Sequence, residues 1–465
     1  MRSFLSLAIL FCLTCCGNTA FAAEATRPNL VVVFIDDMGW ADLSCFGNTA
    51  ASTPHIDRLA AEGLRFTQFY VNSPICSPSR CALTTGQYPQ RWRIESYLSN
   101  RAENERRGIA QWLDPAAPVL ARILKQHGYA TGHFGKWHLG GQRDVGEAPL
   151  ITEYGFDESL TNFEGLGPRL LGLCDAHNGR PIRRHALGSD KLGRGPVIWY
   201  DRSQLTAGFA GAAWQFMEKA AADGQPCYIN VWPDDVHSPY FPPEAKRGDG
   251  SKRRLYHGVL ETMDGQLGEL FDRIRNSPTL RDNTLIVLCS DNGHEPGAGS
   301  AGPLRGAKTT LYEGGVRSPL IVWGPGLMGA EAVGRCDDSS FFAAFDLVPS
   351  LLSVAGVAGP DDVEFDGEDI SGALLGRQST SRQTPLFWRR PPDRKSWPAM
   401  GLPEQRDLAM REGDWKFLCD FDGSRQELYN LAQDPGESQN IAAKHSDLVT
   451  KLTAKLLAWH EQMLQ

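Results

Sequence analysis

Four short runs in this 465-residue chain are apolar at nearly every position: NLVVVFI (29–35), CYINVW (227–232), TLIVLCS (284–290) and SPLIVW (318–323). They lack the alternation of a strand with one wet face. A strand that is apolar on both sides is covered on both sides, as in the central sheet of an α/β fold. Between these runs the apolar positions recur at helical spacing, in HIDRLAAEGL (55–64), APVLARILKQHG (117–128), AGFAGAAWQFMEKAAA (207–222), YHGVLETMDGQLGELFDRIRN (256–276) and FDLVPSLLSVAG (345–356). Strands alternating with helices predict a large, mostly parallel central sheet flanked by helices, in a domain covering 27–375. Residues 360–400 are rich in Pro, Gly, Asp and Arg and read as a boundary. Beyond it, DLAMREGDWKFLCD (407–420) and RQELYNLAQDPGE (425–437) predict a pair of short antiparallel strands, and HSDLVTKLTAKLLAWHEQML predicts a closing helix. These form a smaller C-terminal α+β subdomain over 385–465.

The first residues change the picture of where the chain works. MRSFLSLAILFCLTCCGNTAFAAEAT carries one early positive charge, an apolar run and Ala20-Phe21-Ala22 as a small-x-small cleavage site, so residues 1–22 read as a secretory signal peptide. Cys16 after Leu13-Thr14-Cys15 offers a lipoprotein site as the lesser alternative. No later run is long enough to cross a bilayer. The expected product is exported, periplasmic or extracellular. Of 11 cysteines, Cys12, Cys15 and Cys16 leave with the signal, and the remaining eight form no C-x-x-C pair. A formal charge of −8 argues against a nucleic-acid partner. Basic residues cluster at 91–107, 179–184 and 246–254, where they read equally as solvated loops or as the rim of a site for an anion.

Chemistry gathers where the buried runs end. Asp36-Asp37 closes the first and Asp291-Asn292 the third, while His237 follows the second in PDDVHSPY. Open α/β sheets place their sites beyond the carboxyl ends of strands. Carboxylates and an amide oxygen brought together suit a hard divalent cation, calcium or magnesium. Each pair alone is also an ordinary strand-end turn. GHFGKWHLGG (132–141) sets Lys136 and His138 two apart, on one face of an extended segment with Trp137 opposite. Lys308 sits in GPLRGAKTTLYEGG, a glycine-broken segment that can approach a ligand closely. Together these cations facing a carboxylate-bound metal fit a tetrahedral oxyanion such as a sulfate or phosphate ester.

CSPSRCALTTG (76–86) is the remaining candidate. Pro78 suits a first helical turn and Gly86 its end, which sets Cys76 at a helix N-terminus with Arg80 one turn later on the same face. A Cys76–Cys81 disulfide is disfavoured, because residues five apart on a helix point in different directions. A thiolate is also a poor partner for calcium or magnesium, which take oxygen ligands.

With its C-x-P-x-R signature and following Thr85-Gly86, the chain resembles the type I sulfatases, the formylglycine-dependent members of the alkaline phosphatase superfamily. PNLVVVFIDDMGWADLSCFG, TPHIDRLAAEGLRFTQFY, GKWHLG, VHSPY, LCSDNG, PLRGAKTTLYEGGVRSPLIVWGPG and YNLAQDPGESQN follow one another in the order such enzymes show. The one departure is Cys81, where many relatives carry alanine. The resemblance implies an alkaline phosphatase-like fold and a sulfuric ester hydrolase acting on a sulfated sugar, glycan or related monoester. It implies that a formylglycine-generating enzyme oxidises Cys76 to Cα-formylglycine. The metal, calcium first and magnesium second, would be held by Asp36, Asp37, Asp291, Asn292 and the modified residue 76. Arg80 would hold the hydrated aldehyde, and Lys136, His138, His237 and Lys308 would surround the sulfate. Asp291 would draw a proton from the attacking hydroxyl, His237 with Lys308 would protonate the leaving alcohol, and His138 would act as base when sulfate is expelled. A phosphate or phosphonate ester hydrolase of the same superfamily, and a catalytically silent glycan-binding protein, are the competing readings. Segments 91–112 and 165–203, with Arg91, Trp92, Arg93, Arg183 and Trp199, are expected to line the approach.

Overall fold

A computed structural model of the protein describes residues 27–162, 165–174, 182–394 and 405–464. The expected signal peptide and the Cys16 alternative lie outside these residues. Among the described residues no helix is long and apolar enough to cross a membrane.

Strand β1 (Asn29–Ile35) lies at the centre of a large mixed sheet. It is joined by β2 (Leu64–Tyr70), β3 (Ala130–Lys136), β4 (Glu158–Asn162), β5 (Arg169–Cys174), β6 (Arg183–His185) and β7 (Val197–Asp201). The sheet is completed by β8 (Cys227–Trp232), β9 (Thr284–Ser290), β10 (Arg317–Trp323), β11 (Arg335–Asp337) and β12 (Phe342–Ala343). Its order is β11-β2-β10-β9-β1-β8-β3-β4-β5-β6, with β12 on β2 and β7 on β5. β1 runs parallel to both neighbours, Val32 opposite Asn230 on one side and Val287 on the other. β10 is antiparallel to β9 and β2.

The unbroken apolar runs follow from this position. Leu30, Val32 and Phe34 enter one core, and Val31, Val33 and Ile35 enter the other. Each side chain is removed from water on its own face, worth roughly 1.5–3 kcal/mol apiece. Helix α1 (Pro54–Glu62) packs on the second core through Ile56, Leu59 and Ala60. Helix α2 (Cys76–Thr85) is buried along its whole length and contributes Cys81 and Leu83 to the first. It stops at Gly86, whose left-handed backbone (φ 71°) returns its N–H to the Ala82 carbonyl.

The C-terminal sheet has four strands where the sequence pattern predicted a pair. β13 (Leu386–Arg389), β14 (Leu408–Glu412), β15 (Trp415–Cys419) and β16 (Glu427–Asn430) pair antiparallel in that order. β13 comes out of the polar stretch read as a boundary, where only LFWR hints at a strand. The helix Ser446–Gln462 covers this sheet, and Tyr70, Ala82 and Leu311 from around the large sheet share its core. Cys76 and Cys81 are both free thiols, not joined to each other.

Candidate active site

The carboxyl ends of β1 and β9 meet side by side, with Ile35 opposite Ser290. The chain turns at once: Asp37 takes a left-handed backbone (φ 60°), which lets both aspartates of the pair serve one place. The Asp37 N–H donates to Asp291 Oδ1 at 3.1 Å, and the Met38 N–H donates to Ser290 Oγ at 3.0 Å. Gly293 permits a close approach on the other side, since a Cβ there would stand 2.0 Å from the Gly314 carbonyl oxygen. Asp36, Asp37 and Asp291 each offer a carboxylate oxygen, all within 4.8 Å of one another, and all three are fully buried.

Three buried cations answer the three carboxylates. Lys136 Nζ donates to Asp36 Oδ2 at 2.6 Å. Lys308 Nζ stands 2.6 Å from both oxygens of Asp37. Arg80 donates from Nη2 to Asp291 Oδ2 at 2.7 Å and from Nη1 to the Lys136 carbonyl at 3.0 Å. Its guanidinium also lies 3.5 Å from Asp36 Oδ1 and over the Trp232 ring at 5.3 Å. Burial pushes the Asp36 carboxyl up, but Lys136, His237 and Arg80 hold it well below its ordinary value. Burial and the Asp36 charge push Asp291 well above its own, against Arg80. Burial disfavours charge on Lys308, and Asp37 overcomes this and raises its pKa.

The donor set fits a hard cation. Asp36 Oδ1 and Asn292 Oδ1 are buried without a hydrogen-bond partner. The Asn292 amide nitrogen donates to Asp37 Oδ1 at 2.7 Å, which fixes Oδ1 as the amide's oxygen atom. Every candidate atom is oxygen, the donor that calcium and magnesium take.

Cys76 is the first residue of α2 and is 2% exposed. It is an electrostatic neighbour of Asp291, Lys136, Arg80 and Lys308. The Thr309 N–H donates to the Pro74 carbonyl at 2.7 Å, which ties the Lys308 loop to the start of α2. Cys76, His138, His237 and Lys308 line one cavity of about 410 Å³. His237 Nδ1 lies 2.7 Å from its neighbour Ser238's carbonyl oxygen, so that nitrogen donates and Nε2 is the other, basic one; Nε2 stands 3.8 Å from Asp37. Burial and the Lys308 charge hold the ring well below the usual histidine range. His138 Nε2 lies 3.1 Å from the Leu98 carbonyl oxygen, which by the same reasoning leaves Nδ1 basic.

The structure thus brings together all ten candidates: Asp36, Asp37, Cys76, Arg80, Lys136, His138, His237, Asp291, Asn292 and Lys308. One local expectation is corrected. β3 ends at Lys136, and His138 has a left-handed backbone (φ 58°), so the two do not share a face of one extended segment. Trp137 sits in the first core against Tyr154 and Trp232, and the chain bends round it. Both segments expected at the approach reach the cavity, through Tyr97 of 91–112 and His185 and Leu187 of 165–203, but with other side chains than those expected. Arg91 is committed to Asp366 at 2.7 Å, Arg93 donates to the Gly108 carbonyl, Trp92 donates to Gln87, and Arg184 covers Trp199. Tyr97, Arg143, His185, Glu295 and Arg394 line the cavity instead. None of these stands in a motif. Tyr97 and His185 fall within the two segments expected at the approach; for the others, only the glycines before Arg143 and the closeness of Glu295 to Asn292 could have drawn attention.

A charge-balanced acidic pocket at the switch of a covered α/β sheet, opened by a cysteine on a helix N-terminus, defines a sulfatase-type hydrolase. Residues 28–357 match the Sulfatase family, and the chain belongs to it. It is a sulfuric ester hydrolase of the alkaline phosphatase superfamily, in a family that works with a metal and formylglycine. The N-acetylgalactosamine-6-sulfatase of Canis lupus familiaris is 33% identical over 395 residues, 82% of this chain and 72% of that protein. Arylsulfatase A of Homo sapiens is 31% identical over 458 residues, 90% of this chain and 84% of that protein. In fold the chain is similar to Ps i-CgsB solved in complex with k-i-k-neocarrahexaose, with TM-score 0.76 and 24% identity over 93% of this chain and 92% of that one.

Proposed function

We propose that the protein is exported and removes sulfate from a sulfated carbohydrate, with residue 76 as nucleophile after a formylglycine-generating enzyme converts Cys76 to Cα-formylglycine. The observation that carries this reading is the buried all-oxygen cluster beside Cys76, a neighbour that a thiolate would serve poorly as co-ligand and a hydrated aldehyde would serve well. The carbohydrate class draws support from the name of the N-acetylgalactosamine-6-sulfatase relative.

Asp36, Asp37, Asp291, Asn292 and the hydrated residue 76 would hold one divalent cation, which supplies Lewis-acid polarisation of the ester's sulfate. Five protein ligands suit calcium, because magnesium binds few protein groups and keeps several waters. The other roles belong to the chain itself. Arg80 fixes Asp291 in place, and Asp291 draws off the proton of the attacking hydroxyl. Lys136 and Lys308, kept protonated by their aspartates, set fixed positive charge around the sulfate. The hydroxyl oxygen of residue 76 bonds to sulfur, the bond from sulfur to the alcohol oxygen breaks, and that oxygen takes a proton. Lys308 is a poor donor, since Asp37 raises its pKa. His237 is the better one: its Nε2 becomes protonated when an anionic ester lies beside it. His138, with a basic Nδ1, takes the proton of the second hydroxyl as the aldehyde is restored and sulfate leaves. A serine at 76 would form the ester and could not expel it in this way.

Matched sulfate and phosphate monoesters, together with a panel of sulfated oligosaccharides, test the reading on correctly matured protein. The expected result is higher kcat/KM on sulfate and release of sulfate from at least one oligosaccharide. Faster turnover of the phosphate or phosphonate ester overturns it. After chelation, calcium is expected to restore activity at lower concentration than magnesium, and the reverse order reassigns the metal.

A further inference from the structure

One cation in the cavity, Arg143, has no ion-pair partner among the described residues. Arg143 lines the same 410 Å³ cavity as Cys76, His138 and Lys308. Among the described residues no carboxylate lies within ion-pair distance of it, and its Nε is buried without a hydrogen-bond partner. The nearby acids on its own loop are already engaged elsewhere. Asp144 Oδ1 accepts the Arg101 N–H at 2.8 Å, and Glu147 pairs with the Arg101 guanidinium. The acid in the cavity wall, Glu295, is held by Lys252 at 2.7 Å and by the Tyr240 hydroxyl at 3.0 Å.

The rim around Arg143 is built rather than loose. Arg143 has a left-handed backbone (φ 47°), a conformation that costs a non-glycine residue energy and persists where packing enforces it. The facing turn is Leu187-Gly188, also left-handed, and a Cβ on Gly188 would come within 3.1 Å of the Arg143 Cα. Arg194 staples the two segments by donating to the Ala148 carbonyl at 2.6 Å, and Arg169, 1% exposed, holds the Gly195 carbonyl at 2.8 Å. A second cation in the lining, Arg394, meets its sequence neighbour Asp393 only at 4.0 Å and stands over the Tyr97 ring at 5.4 Å. Its Nε too is buried without a partner.

A guanidinium held by a strained, stapled turn, without an ion-pair partner among the described residues, and lining a substrate cavity is suited to grip two oxygens of an incoming anion. The cations around the scissile sulfate are occupied by Asp36, Asp37 and Asp291, so Arg143 and Arg394 add charge that those aspartates do not balance. We propose that Arg143, assisted by Arg394, forms a second anion subsite for an acidic group on the substrate beside the scissile ester: a uronate carboxylate or an additional sulfate. This rests on the carbohydrate reading above and narrows it to polyanionic saccharides.

The test uses mature enzyme and three oligosaccharides sharing the sulfated sugar it hydrolyses fastest. The second sugar is a uronate, its carboxyl-reduced hexose, or that hexose bearing a sulfate. The wild type is expected to prefer a charged member over the neutral one by about 10- to 100-fold in kcat/KM, the range of a buried charged hydrogen bond. Whichever charged member is preferred identifies the group. R143M is expected to bring the ratio towards one through KM, R394M to lower it less, and R143K to recover part of it. An equal loss on charged and neutral substrates in R143M would mean a structural role and overturn the subsite. So would a wild type with no preference. A wild type that turns over a simple aryl sulfate and no oligosaccharide overturns the carbohydrate reading, and the subsite with it.

Discussion

Replacing Arg80 by methionine removes one of three buried cations from a cluster of three buried carboxylates. Methionine keeps most of the side-chain volume and fills irregular space, so the cavity term is small. The electrostatic term is not. Arg80 contributes a 2.7 Å charged hydrogen bond to Asp291, a 3.5 Å approach to Asp36 and a 3.0 Å hydrogen bond to the Lys136 carbonyl. Removing one partner of a buried ion pair costs about 3–5 kcal/mol. The cost also depends on pH. The Asp291 carboxyl is raised in the folded protein by burial and by Asp36, with Arg80 opposing. A carboxyl raised on folding favours the folded state at low pH, and that contribution is lost as pH rises through the folded value. Without Arg80 the folded value climbs further and the window extends to higher pH. The deficit of R80M should therefore approach the full ~3–5 kcal/mol at alkaline pH and shrink on acidification. Denaturant unfolding followed by tryptophan fluorescence, with chelator present so that no metal compensates the charge, measures it. A deficit under about 0.5 kcal/mol at alkaline pH, or one that grows on acidification, would refute the reasoning.

H237A should lose about 10²- to 10⁴-fold in kcat/KM on an alkyl sulfate, whose leaving group needs a proton, and far less on an activated aryl sulfate; equal losses would remove the acid role from His237. Asp264, on the helix Lys252–Asn276, accepts the Ile56 N–H at 2.8 Å and the His55 N–H at 3.2 Å, capping α1 from outside. D264A should cost about 1–2 kcal/mol. Burial pushes this carboxyl up to about 6, so the wild type should gain stability relative to D264N as pH falls from about 7 to 5; parallel pH profiles for the two proteins would contradict that assignment.

The parts of this molecule legible in the sequence are those set by local periodicity. β1, β8, β9 and β10 announce themselves because both faces are covered, and the acids after β1 and β9 sit where a parallel sheet places its chemistry. α2 carries Pro78 in its first turn and stops at Gly86, residues whose own backbone preferences mark a start and a stop. What the sequence hides is geometry set by distant packing. Arg80 reaches Asp291 across 211 positions of chain, and no local signal carries that contact. His138 enters the cavity on a left-handed residue because Trp137 is anchored in the core, and periodicity alone predicts a straight strand there. β13 lies in a polar, proline-rich stretch, and pairing with β14 creates it. The rim residues Tyr97, Arg143, Glu295 and Arg394 come from separate loops and His185 from the end of the short edge strand β6, where residue type says little about direction.

Everything proposed for this site turns on residue 76, once oxidised, being the nucleophile of a sulfate ester hydrolase. Its most direct test is sulfate release by the wild type and by C76A, each co-produced with a formylglycine-generating enzyme and assayed on the same sulfate ester. Steady turnover by the wild type and none by C76A is the expected result; turnover by C76A comparable to the wild type would rule out residue 76 as the nucleophile.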